Sequence, residues 1–142
     1  MRIRPAELVD GSRLFELVGA FPTPTPPDLA TFSAALQAKL PDPSSYVGLA
    51  ELDGRLIGYV SGYCHPTFYA GGYTAWVDEL LVESGFRGRG VGRNLMDAFE
   101  AWAAARQCRL VSLATSGATG FYEHLGYRSK AGYFKKYLDP EQ

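Results

Sequence analysis

The chain has 142 residues, and 14 lysines and arginines against 15 aspartates and glutamates leave a formal charge of −1, too little basic field to grip nucleic acid. Hydrophobic residues at 46% and charged residues at 20% are ordinary globular usage, and the length suits a single domain, residues 1–142, around one core. No apolar run approaches the roughly 18 residues that cross a bilayer, the first residues lack a secretion signal, and two cysteines with two histidines form neither a disulfide framework nor a metal cluster, so a cytoplasmic, metal-free protein is expected.

Asp10 stands ready to cap a helix whose apolar residues Leu14, Leu17, Val18 and Phe21 fall at i, i+3, i+4 and i+7. Residues 21–27 hold four prolines, which remove backbone donors and predict a stiff surface loop. Leu29, Phe32, Leu36 and Leu40 repeat the helical spacing until Pro41 stops it. Residues 46–52 and 55–63 read as strands joined by Asp53-Gly54, a two-residue hairpin signal. The second of these is apolar on both faces and should be a covered, central strand.

A loop over 64–72 precedes a third strand at 73–82, and residues 85–92 then lead into a helix bearing Val91, Leu95, Ala98, Phe99 and Trp102. A short strand at 110–114, a short helix at 118–125 ended by Gly126, and a closing strand at 133–138 complete the pattern. Helices, an antiparallel meander and a βαβα unit predict an α+β domain with a mixed sheet.

Arg87, Gly88, Arg89, Gly90, Val91 and Gly92 sit where a strand hands over to a helix. Amides there have no partner within the helix and point out from the positive end of its dipole. Glycines let backbone close around phosphate oxygens, while Arg87, Arg89 and Arg93 add positive charge with no acid between Ser84 and Arg93, so the loop suits a diphosphate. A nucleotide-hydrolysis loop would end in Gly-Lys-Ser/Thr, but this one ends Gly92-Arg93-Asn94. A dinucleotide fold would place its glycines early, with an acid roughly 20 residues on, whereas here the residues near Ser112 are neutral. The plainer alternative is a solvated arginine-glycine turn.

The spacing Arg87-x-x-Gly90-x-Gly92 after Asp78-Glu79-Leu80-Leu81-Val82 resembles the coenzyme A pyrophosphate loop of the Gcn5-related N-acetyltransferase (GNAT) family. Ala118-Thr-Gly-Phe-Tyr-Glu-His-Leu-Gly-Tyr127 resembles that family's other signature, in the right order and some 30 residues on. The likeness, with the upstream order of helices and hairpin, covers most of the chain. It implies a mixed, mostly antiparallel sheet flanked by about four helices, with two parallel strands, those of residues 78–82 and 110–114, splayed at the cofactor site.

It further implies acetyl-coenzyme A as co-substrate, no metal, and a small-molecule or peptide amine acceptor that attacks directly in a ternary complex. A homodimer is left open beside a monomer, and neither nucleic acid nor membrane is an expected partner. Tyr122 would stand beside the leaving sulfur, where a phenol of pKa about 10 can donate to a thiolate of pKa about 8.5. Leu80, Leu81 and Val82 would offer backbone contacts to the pantetheine arm, and residues 88–93 would hold the pyrophosphate. Thr115 replaces the asparagine that many members use on that arm, and its hydroxyl is kept as a weak contact.

An amine of pKa near 10 is almost wholly ammonium at neutral pH, so a group must take its proton. Asp78 and Glu79 are the candidates, but strand neighbours face opposite ways unless a bulge intervenes, and the choice between them stays open. Phe68, Tyr69, Tyr73 and Trp76 could box a cationic or apolar acceptor or serve packing alone. The proline loop, the aromatic loop and the closing strand are expected to shape the acceptor pocket. Cys64 and Cys108 suggest inert thiols, Phe121 an anchor for its helix, and His124 a surface residue. A regulatory sensor that binds acyl-coenzyme A without catalysis is the alternative function; RNA binding by the arginine-glycine stretch is opposed by the near-zero net charge.

Overall fold

Asp53 and Gly54 both hold positive φ, 51° and 78°, the conformation a two-residue hairpin requires, and they fold β2 (Ser45–Leu52) back on β3 (Arg55–Thr67). The structure, a computed structural model, describes residues 1–139. A second hairpin joins β3 to β4 (Gly72–Val82), so the sheet is antiparallel through its middle. Strand β1 (Arg2–Pro5) lies antiparallel to β2, and β5 (Val111–Leu113) lies parallel to β4, giving the order β1-β2-β3-β4-β5. As its apolar composition predicts, β3 is central and buried along most of its length.

Helices α1 (Gly11–Val18) and α2 (Leu29–Lys39) cover one face, where Leu14, Leu17, Phe32 and Leu36 meet Val47, Leu49, Tyr59 and Leu81. Helix α3 (Val91–Ala105) covers the other, with Val91, Leu95, Met96 and Phe99 against Ile57, Val60, Ala75 and Val77. Helix α4 (Thr119–His124) is short; its Phe121 and Tyr122 border the α3 core. The α+β architecture and the mixed sheet with four helices agree with the expectation.

Four local expectations need correction. The closing strand at 133–138 does not form: those residues have no strand partner, and Tyr133, Phe134 and Leu138 are exposed. The aromatic residues Tyr133, Phe134 and Tyr137 favour extension, but a strand exists only through a ladder with a neighbour. Asp10 does not cap α1; its carboxylate turns inward to accept from Arg4 at 2.8 and 2.9 Å and from the Glu7 amide at 2.8 Å, while α1 stops at Val18 short of Phe21. The loop expected at 64–72 shrinks to 68–71 because β3 and β4 stay paired as far as Thr67 and Gly72. Finally, β1 precedes the first helix, an edge strand too short to show periodicity.

Candidate active site

The carboxylate pair owes its placement to a defect in the β3–β4 ladder. Ser61 opposes Glu79 and Gly62 opposes Val77, which leaves Asp78 as an extra, unopposed residue: a β-bulge. Inward facing therefore resets: Ala75 and Val77 look toward α3, whereas Glu79 and Leu81 look toward α1 and α2. Asp78 faces the same side as Glu79, since its Oδ2 lies 3.9 Å from Nζ of Lys39 on α2. The condition on which both carboxylates could share a cleft is met.

Each carboxylate has its own surroundings. Glu79 Oε1 accepts from the hydroxyl of buried Tyr59 at 2.8 Å, which fixes its orientation. Asp78 keeps 33% of its side chain exposed, yet burial pushes its carboxyl above the usual aspartate range; Lys39 opposes that shift and Glu79 adds to it. Lys39, Tyr59 and Ser61 escaped the sequence reading because they come from separate elements whose meeting no local pattern announces.

The bulge also marks where the sheet parts. Pairing of β4 with β5 runs only over Ala75–Val111, Trp76–Ser112 and Val77–Leu113, so beyond Val77 the β4 edge on that side has no neighbouring strand. The Glu83 amide donates to Ile57 O at 2.8 Å; by strand alternation Leu81 also turns its backbone groups toward β3, and Leu80 and Val82 turn theirs to the open edge. Arg87 Nε reaches Val82 O at 3.0 Å on that open side. Parallel strands that diverge in this way leave a slot able to take an extended ligand by backbone hydrogen bonds.

At the end of the slot lies the glycine loop. Gly88 and Gly90 have φ of 77° and 81°, a left-handed conformation that glycine takes without strain. The α3 ladder opens with the Asn94 amide donating to Gly90 O at 3.0 Å; among the described residues no backbone or side-chain acceptor engages the amides from 87 to 93. Gly92 serves packing as well: a Cβ there would stand 3.2 Å from Cζ of Phe121, so its bareness seats α4 against the start of α3. Arg89 lies over the Phe86 ring at 5.5 Å, and Arg93 follows Gly92 on the first turn of the helix.

Phe121, as expected for an anchor, points into the core. The half-buried ring of Tyr122 is gripped edge-on by Phe121 at 4.9 Å and by Tyr127 at 5.8 Å between centroids. Its hydroxyl makes no protein hydrogen bond among the described residues, and burial raises its pKa, which keeps the phenol protonated and able to donate. Tyr127, by contrast, spends its hydroxyl on Glu100 at 2.6 Å. The Thr115 oxygen accepts from the Ala118 amide at 3.1 Å just ahead of α4, which leaves its proton and one lone pair for a ligand.

Phe68 and Tyr69 stand exposed at the tip of the β3–β4 hairpin, a span of seven residues from Gly72 to Glu79, or roughly 23 Å of strand, from the carboxylates. Trp76 stacks on Tyr133. The aromatic loop thus does not wall the carboxylate pair. Among the described residues no group of three or more histidines, cysteines, aspartates or glutamates is arranged to hold a metal, and no helix is long and apolar enough to cross a membrane.

Residues 12–127 match the family model described as the acetyltransferase (GNAT) family. Over 52 residues the chain is 46% identical to N-alpha-acetyltransferase 80 of Mus musculus, a stretch that is 37% of this chain and 17% of that relative, so the chain spans a minor part of the curated protein it matches. Glucosamine-6-phosphate N-acetyltransferase from Arabidopsis thaliana superposes with a TM-score of 0.86 at 22% identity, covering 97% of this chain and 98% of that one. A protein from Clostridium acetobutylicum described as a predicted acetyltransferase, solved with acetyl-coenzyme A, gives 0.80 at 17% identity over 96% of each chain. At these identities the likeness to solved structures concerns the fold.

Proposed function

Because the chain belongs to the acetyltransferase (GNAT) family, we propose that it transfers the acetyl group of acetyl-coenzyme A to a primary amine by direct attack in a ternary complex. The observation that carries this reading is the open β4 edge, which runs from the unpartnered amides of the glycine loop back to the carboxylate pair. The site fits the co-substrate by its chemistry: free amides at a helix start suit a diphosphate, and the backbone of Leu80 and Val82 suits the amides of a pantetheine arm. Bound there, acetyl-coenzyme A would supply an activated acetyl thioester.

The residues then divide the proton work. Glu79 and Asp78 draw one proton from the acceptor ammonium, directly or through a water, and free its lone pair. Tyr122 donates to the departing sulfur. As the carbon–nitrogen bond forms and the carbon–sulfur bond breaks, the amine's second proton balances the thiol, so one proton per turnover is released to solvent. A phenol whose pKa burial has raised transfers its proton less readily than a free one, which favours hydrogen-bond donation over full transfer as Tyr122's contribution.

Tyr122→Phe keeps the two edge-on ring contacts and removes only the hydroxyl. Turnover in a thiol-release assay should fall by about 10² or more, while calorimetric affinity for acetyl-coenzyme A stays nearly unchanged. Unchanged turnover would remove Tyr122 from the mechanism. Binding without thiol release across a broad amine panel would favour the sensor alternative.

A further inference from the structure

Between α1, α2 and the sheet lies a cavity of about 150 Å³. Leu14, Leu36, Val47 and Tyr59, all buried, form its inner wall, and Thr31 and Ala35, one turn apart on α2 and exposed, stand at its rim. Its polar groups are gathered around Glu79, which accepts from the Tyr59 hydroxyl and opposes Ser61 across the ladder. The Ser61 hydroxyl has no protein partner among the described residues, although Ser61 is buried. A carboxylate placed to accept from an ammonium group therefore borders a largely apolar hollow that is open at one side.

We propose that this cavity receives the apolar substituent of the acceptor, with Glu79 and Asp78 meeting its ammonium group, so that the chain prefers primary monoamines bearing one compact apolar group. The inference rests on the acetyl-transfer reading and names its substrate class. A dry cavity of about 150 Å³ holds a molecule of benzene's size, which sets the scale of the group. Polyamines and amino sugars are disfavoured by the same walls: a second ammonium or a row of hydroxyls would lose its water against Leu14, Leu36 and Val47 without gaining acceptors. Lys39 at the same site adds a like charge against polycations.

Two readouts separate this inference from the reading beneath it. Calorimetric titration of 2-phenylethylamine into the full chain saturated with desulfo-coenzyme A, which cannot react, reads occupancy without turnover. Ala35→Trp, an exposed rim position, should plug the cavity and weaken that binding by about tenfold or more, while acetyl-coenzyme A still binds as a check of folding. Val18→Ala should enlarge the cavity and shift preference toward tryptamine. In the thiol-release assay, kcat/KM for 2-phenylethylamine and isoamylamine should exceed that for ethanolamine and spermidine by about tenfold or more. A tripeptide beginning with phenylalanine, run alongside, assigns the same chemistry to a polypeptide end if it binds more tightly than the free amine, and to a free amine if it binds more weakly. Equal binding of 2-phenylethylamine to wild type and Ala35→Trp, or preference for spermidine, overturns the inference. Binding that responds to Ala35→Trp with no thiol release from any amine sinks acetyl transfer and leaves the cavity assignment standing.

Discussion

Asp10 illustrates how one side chain can abandon the role its neighbours in sequence suggest. Ahead of a helical stripe it looks like a cap, yet Arg4 offers two charge-assisted bonds and the Glu7 amide a third, and together these outweigh one capping bond. The Arg4 guanidinium holds the Asp10 carboxyl below the usual aspartate range, and only 8% of the side chain is exposed. A depressed native pKa contributes stability above the unfolded value of 3.8, and that contribution is lost as pH falls through the native value. Asp10→Asn should therefore cost about 2–3 kcal/mol at neutral pH, and the gap between the two proteins in urea unfolding should begin to narrow once pH falls below 3.8 and close only below the native value. A gap that never narrows on acidification would show that packing, not charge, carries the effect.

At the scale of elements, the glycine loop and α3 were legible because their signals are local. Gly88 and Gly90 at positive φ, Arg89 between them, and apolar residues at helical spacing need no distant partner to be recognised. The Asp78 bulge was not legible: whether Asp78 is opposed depends on Ser61 and Gly62, some 16 residues upstream, and the same sequence paired one residue differently would separate the carboxylates. For the same reason the segment at 133–138 misled, since its aromatic residues favour extension but nothing pairs with it. Packing between elements makes its own demand at Gly92. Gly92→Ala would press a methyl against Phe121, a strain that offsets alanine's gain in helix propensity, and should weaken acetyl-coenzyme A binding. Adding Phe121→Leu should restore much of the lost binding, read by calorimetry; a double variant no better than the single would place the fault in the loop backbone.

Considered whole, the molecule is unevenly held. The sheet and its three longer helices bury their apolar residues on both faces, whereas the chain beyond Tyr127 lies outside any ladder, with Tyr133 stacked on Trp76. Exposed backbone without partners opens first, so limited trypsin digestion of the native protein should cut earliest after Lys130, Lys135 or Lys136. Protection of those bonds on adding an amine acceptor would mean that this segment closes over the site, while early cleavage inside α3 would contradict the uneven picture.

The unopposed residue in β4 sets a balance between cohesion and use. Since Glu79 and Leu81 already face α1 and α2 in step with β3, excising Asp78 would leave the flanking residues in register and return an unbroken ladder. A straighter β4 could then run alongside β5 past Val77, zipping shut the gap through which a ligand strand would enter. Such a single-residue deletion should yield a protein that melts higher than its parent and no longer takes up acetyl-coenzyme A, a trade of knitted backbone against an opening that differential scanning and calorimetry can read side by side.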